Sequence, residues 1–188
     1  MKTHEKKRLS NAYHEAGHAI ACLELGIPFK EISIIPNDDT VGRVLLCECE
    51  LVRQLEEDDT SIVRLEAEKY IVALLAGLAA QTKFDSSSNR KMAGQDISVS
   101  IQIVNKLFTS HKVGVSFYKF MTAQTESMFD DFPSNEYPDA TTETHDLESD
   151  AWKNVVLLVK TILEKDKLNF EQLIELFPEY EKNFENLL

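Results

Sequence analysis

Ser10-Asn11-Ala12-Tyr13-His14-Glu15-Ala16-Gly17-His18-Ala19-Ile20 is the stretch on which the reading of this 188-residue chain turns. Ala12, Ala16, Ala19, Ile20 and Leu23 recur at helical spacing. Ser10 suits a cap and Gly26 then Pro28 suit a stop, so the pattern predicts a helix over Ser10 to Leu25. Residues four apart share one face of a helix, and His14 and His18 can therefore turn both imidazoles toward one metal ion. Glu15 is offset by one position, beside such an ion without being a ligand, where it can take a proton from water. The plainer reading makes His14 and His18 surface residues of an amphipathic helix, and Glu15 between them weighs against it. A glycine inside a helix costs about 0.5 to 1 kcal/mol relative to alanine, so Gly17 asks for a reason. With Ala16 it keeps the helix surface low enough for substrate and an opposing helix to come close.

Outward from the motif, Phe29 to Pro36 carries the β-branched run Ile32-Ser33-Ile34-Ile35. Asn37 to Thr40 suits a turn and Val41 to Cys49 a returning strand, giving a hairpin or part of a small sheet. A long buried helix is expected from Asp58 to Ala80, then a polar loop at Asp85 to Asn89. Ile97, Ile101, Val104 and Phe108 predict a further helix with Asp96 at its entrance. Ser116 to Met128 reads as helix, and the acidic residues 130–146, with Pro133 and Pro138, as an exposed loop or disordered crossover. A helix over Trp152 to Glu164 follows, then Asn169 as a cap with Gln172 at the third helical position. The expected fold is α+β and mainly helical: one domain over 1–188, with a small β-sheet or hairpin beside the His14–His18 helix.

Composition removes several functional classes. The net charge of −12 disfavours nucleic acid and anionic lipid as partners. The longest apolar run, Ile71 to Ala80, is far short of the roughly 18 to 20 residues of a membrane span. No secretory segment follows the basic N-terminus. Cys22, Cys47 and Cys49 form no even framework, and Cys47 and Cys49 are too close for a relaxed disulfide, so they read as free thiols rather than metal ligands. A cytoplasmic setting is expected.

Zinc takes three protein ligands at a catalytic site and leaves the fourth position to water. Asp96, His111, His145, Glu66 and Glu68 are the candidates for the third. His111 reads as the C-terminal residue of the Asp96 helix, roughly 22 Å along its axis, too far to share an ion with Asp96. His145 falls in the acidic loop and reads as solvated. Glu66 and Glu68 fit zinc sites whose third ligand is a glutamate on a second helix.

Ala12 to Ile20, Ile32 to Pro36, Val41-Gly42-Arg43-Val44, Leu74 to Ala80, Gly94-Gln95-Asp96-Ile97 and Leu163 to Leu168 resemble, in order and spacing, the protease domain of the FtsH family. The likeness covers Ser10 to about Ser110 and Asp150 to Phe177. It implies a zincin-like peptidase domain holding Zn2+ through His14, His18 and Asp96. It also implies Glu15 as the general base in hydrolysis of flexible or unfolded polypeptides, and an extended substrate that adds to the edge of the strand Glu31 to Ile35. Leu78 and Gln81 depart from the Arg and acidic residues usual in the family. Gln81 removes a rival ligand and suggests an altered assembly surface. His111 to Asp146 does not resemble the family, and no ATPase module precedes the peptidase segment in this sequence. The resemblance therefore implies a separate ATPase or self-association into an oligomer as partner, with residues 130–146 as a docking element. Its alternative is a non-catalytic zinc-binding or partner-binding descendant.

Overall fold

The first helix, α1 (Thr3–Leu25), is buried on almost every side from Asn11 to Leu23 because its core positions are small: Ala12, Ala16 and Ala19 have no exposed surface. A computed structural model describes residues 3–36, 42–46, 61–86, 94–108, 110–130 and 149–185. After α1 come β1 (Phe29–Ser33), β2 (Arg43–Leu46), α2 (Ser61–Phe84), α3 (Gly94–Leu107) and α4 (His111–Phe129). Then follow α5 (Asp150–Lys165), β3 (Lys167–Asn169), α6 (Phe170–Leu176) and a 3-10 segment, Pro178–Phe184. The architecture is the mainly helical α+β arrangement expected, with the small sheet beside α1.

Helices α1 and α2 pack closely because Gly17 has no side chain: a Cβ there would lie 2.4 Å from the Ala76 carbonyl oxygen and 2.7 Å from the Ala80 Cβ. The close approach expected from Gly17 is thus made by an opposing helix. Helix α1 begins by Thr3 rather than at Ser10. Its basic first turns are tied down, Lys6 to Asp85 at 2.6 Å and Arg8 to Asp166 at 2.5 Å, and Ser10 Oγ accepts a hydrogen bond from Gln81 Nε2 at 2.8 Å. Gln81 is fully buried at the α1–α2 crossing, so it contributes nothing to an assembly surface, contrary to expectation.

The sheet is antiparallel in the order β2-β1-β3, with a bulge between Phe29 and Glu31. Glu31 binds both neighbours, Arg43 at 3.4 Å and Lys167 at 2.5 Å. Strand β1 is thus the centre of the sheet. Both of its sides are paired, and no substrate can add to it; among the described residues the outer strands are β2 and β3.

Two apolar clusters share α2. The larger gathers Ile20 and Leu23 of α1, Ile32 of β1, Val155, Leu158 and Ile162 of α5, and Leu173 of α6. The smaller joins Ala67, Ile71 and Leu75 of α2 to Ile103 and Val104 of α3 and Met121 of α4. Helix α2 presents Ala73, Ala76 and Ala80 to the first and Ile71 and Leu75 to the second. Asn169 caps α6 through the expected capping box, accepting from the Gln172 N–H at 2.9 Å while Gln172 Oε1 accepts from the Asn169 N–H at 3.0 Å.

His111 is placed differently from the expectation. Helix α3 ends at Leu107, Ser110 is extended, and His111 opens α4 instead of closing the Asp96 helix. The apolar repeat runs on to Phe108, which leaves α3 to pack on Phe117 of α4 at a ring separation of 4.8 Å. The turn was invisible to periodicity for that reason. The expected helix start at Asp58, Cys47, Cys49, His145 and nearly all of the acidic segment lie outside the described residues. No described helix is long and apolar enough to cross a membrane.

Candidate metal centre

His14 and His18 stand one turn apart on α1 and meet Asp96 in the first turn of α3. His14 Nε2 lies 3.2 Å and His18 Nε2 3.6 Å from Asp96 Oδ2, and the two Nε2 atoms are 3.1 Å apart. All three candidate ligand atoms fall within 4.8 Å of one another. Among the described residues they form the sole such group of histidine, cysteine and carboxylate side chains. Glu66 instead pairs with Lys69 at 2.8 Å, and His111 is exposed at the start of α4.

The orientation of His18 is fixed from behind. Its Nδ1–H donates to the Ala73 carbonyl of α2 at 2.7 Å, which leaves Nε2 as the ring atom facing the cluster. His14 Nδ1 is buried without a hydrogen bond of normal geometry, and the Gly77 backbone nearby favours its protonated form only weakly. Two imidazole nitrogens and one carboxylate oxygen are donors that zinc accepts, with a fourth position left for water. The donor set and its convergence fit the metal.

Electrostatics bind the group together. Burial and the His18 charge push His14 below the ordinary histidine value, against the pull of Asp96. Burial also acts to lower His18, but hydrogen bonding and charge from Asp96, with Glu15 adding to them, raise it to about 9. Burial works against ionisation of Asp96, yet the two imidazoles hold it well below the usual carboxylate range. Glu15 is raised to about 7, chiefly by burial, although His18 and the Val44 N–H favour its charged form. Glu15 does not join the ligand cluster. Its carboxylate lies under strand β2, where Val44 supplies a backbone donor.

The sequence pattern of peptidase family M41 matches residues 1–182. The chain belongs to peptidase family M41. Its relatives agree with the FtsH likeness of the motifs. The ATP-dependent zinc metalloprotease FtsH of Neorickettsia risticii is 25% identical over 92% of this chain and 28% of its own length. The protein of the same name from Rickettsia felis is 31% identical over 77% of this chain and 22% of its length, and that of Magnetococcus marinus 30% over 57% and 15%. This M41 chain thus spans about a quarter of the length of the first two relatives.

Four groups of the M41 site escape a reading of side chains. The Ala73 carbonyl and the Val44 N–H are backbone atoms with no residue signature. Gly42 and Gly77 touch Glu15 and His18 respectively; both fall in segments that carry the FtsH likeness, but nothing in those segments says what each glycine meets.

Proposed function

We propose that this M41 domain is a zinc-dependent endopeptidase acting on flexible or unfolded polypeptide. His14, His18 and Asp96 are the metal ligands and Glu15 is the general base. The convergence of three ligand atoms within 4.8 Å, with a buried carboxylate on the next residue of the same helix, carries the reading. Zinc, when bound, supplies a Lewis acid that acidifies water and polarises a carbonyl.

The chain supplies the rest. Ala73 fixes the His18 tautomer, so that Nε2 faces the ion. Glu15, buried beside the ligands, accepts the proton of the attacking water and returns it to the departing amine nitrogen. Val44 N–H restrains the carboxylate that makes both transfers. The outer side of β2 runs past Glu15 and suits main-chain pairing with an extended substrate, a mode that reads backbone more than side chains. The ATP dependence in the relatives' names is theirs; for this chain we propose that an ATPase, on the same or a separate polypeptide, delivers the substrate.

The test compares zinc content and cleavage of an unfolded protein for wild type, Glu15→Gln and Asp96→Ala. Glu15→Gln keeps the metal and loses about a hundredfold or more in rate, and Asp96→Ala loses the metal. A zinc-loaded wild type that cleaves no faster than Glu15→Gln sinks the catalytic reading and leaves the non-catalytic zinc-binding one.

A further inference from the structure

Among the described glycines only Gly26 has a left-handed backbone, so left-handed φ explains neither Gly42 nor Gly77. What they touch explains them. A Cβ on Gly77 would lie 2.3 Å from His18 Nε2, 2.6 Å from Cε1 and 2.8 Å from Cδ2. The ring has no simple escape, since Nδ1 is held by Ala73 at 2.7 Å and Nε2 faces His14 at 3.1 Å. A Cβ on Gly42 would lie 2.8 Å from Glu15 Oε1, 2.9 Å from Cγ and 3.1 Å from Cδ. Glu15 is 6% exposed, so its carboxylate cannot swing into solvent without opening the site.

We infer that Gly77 and Gly42 are positioning residues with separate duties, Gly77 seating the metal ligand His18 and Gly42 seating the general base Glu15. The inference rests on the roles proposed for those two side chains. Gly17 differs in kind: its Cβ would strike the Ala76 carbonyl, so it serves helix packing alone. Gly94 has nothing within 4 Å of its Cβ position and provides a neutral control.

The two duties separate in measurement. In the interior of α2 an alanine is intrinsically better than a glycine, so Gly77→Ala lowers the metal-free Tm only through the His18 ring. Placed in a His18→Ala background, the same substitution raises Tm, a reversal of sign that packing against other groups does not give. In the intact chain Gly77→Ala weakens zinc about tenfold or more in competition with a chelator, whereas Gly42→Ala holds zinc within about threefold. Gly42→Ala also keeps KM within about threefold and loses about tenfold or more in kcat, as expected for a displaced base. Its cost in Tm vanishes in a Glu15→Ala background. Gly94→Ala changes none of these.

Gly77→Ala lowering Tm equally with and without His18, or binding zinc as wild type does, overturns the role of Gly77. If Gly77→Ala does not fold, the double variant decides: folding with His18→Ala supports the role, and failure to fold overturns it. Gly42→Ala with unchanged kcat, or with zinc lost, overturns the role of Gly42. Should the wild type prove inactive, the catalytic reading fails by itself. The Tm and zinc measurements then still decide whether each glycine seats its neighbour.

Discussion

Glu15 is a buried acid next to two buried imidazoles, and without metal its charge is costly. Its pKa rises from 4.5 to about 7 on folding, mainly through burial. The neutral form is therefore favoured in the fold, and its contribution, complete below pH 4.5, is lost as pH rises to about 7. His18 behaves in the same sense one step higher: burial opposes its proton, Asp96 outweighs burial, and the value moves from 6.5 to about 9. Its contribution is complete below pH 6.5 and lost as pH rises through about 9. The Glu15 and His18 contributions of metal-free protein should accordingly fall between about pH 4.5 and 9, with the depressed His14 working the other way below pH 6.5. Glu15→Gln removes the lower part of that decline, on the order of 3 kcal/mol, and His18→Ala the upper part, as read from urea midpoints at pH 5, 7 and 9. As a ligand His18 must be neutral, so on the proposed assignment zinc binding at pH 7 should release at least one proton, with a further share from Glu15, measurable by calorimetry in buffers of different ionisation enthalpy. No proton release would mean that His18 is already neutral and Glu15 already ionised before the metal binds. His14, Glu15 and His18 were legible in the sequence because one helical turn fixes their relation. Asp96 was not legible in that way, since nothing local ties an acid so distant in sequence to the pair.

Strand and helix boundaries show where local pattern stops being informative. Strand β3 is three residues long and has no alternation to detect, yet it makes β1 the middle of the sheet and closes the edge that was expected to be open. The early start of α1 is accompanied by ion pairs with Asp85 and Asp166, contacts that periodicity does not register. Where the signal is chemical rather than periodic it is reliable: the Asn169 and Gln172 pair marks α6 as expected. Asn169→Ala should lower stability by about 1 kcal/mol, with a smaller effect at Gln172, in thermal unfolding. Glu31 joins all three strands, and bonding to Lys167 holds its carboxyl below the ordinary value, with burial opposing and Arg43 adding. A depressed acid stabilises above its unfolded pKa and loses that contribution as pH falls through its folded value. Glu31→Gln should therefore cost about 0.5 to 1 kcal/mol at pH 7, a magnitude limited by the half-exposed cations, and nothing in strong acid. Equal loss at both pH values would show that packing, not charge, is at work.

Over the whole molecule, the candidate ligands come from helices that belong to different apolar clusters. His14 and His18 lie on α1 in the larger one, and Asp96 lies on α3, whose Ile103 and Val104 belong to the smaller. A metal ion held by all three crosses between the clusters, so its removal should loosen α3 more than α1. Hydrogen exchange of chelated protein should show the greater gain over 94–100, and Asp96→Ala should reproduce it. A uniform gain would place the ion within one cooperative unit. The pairing of Glu31 with Asn169 has a different consequence, which concerns synthesis. Strand β1 is made before its second neighbour β3, which follows it by more than a hundred residues, so the sheet beside Glu15 is incomplete on a nascent polypeptide until residues 167–169 have emerged. Completion of the sheet is therefore tied to synthesis of residues 167–169, and until then one side of β1 stays open to pair with other chains.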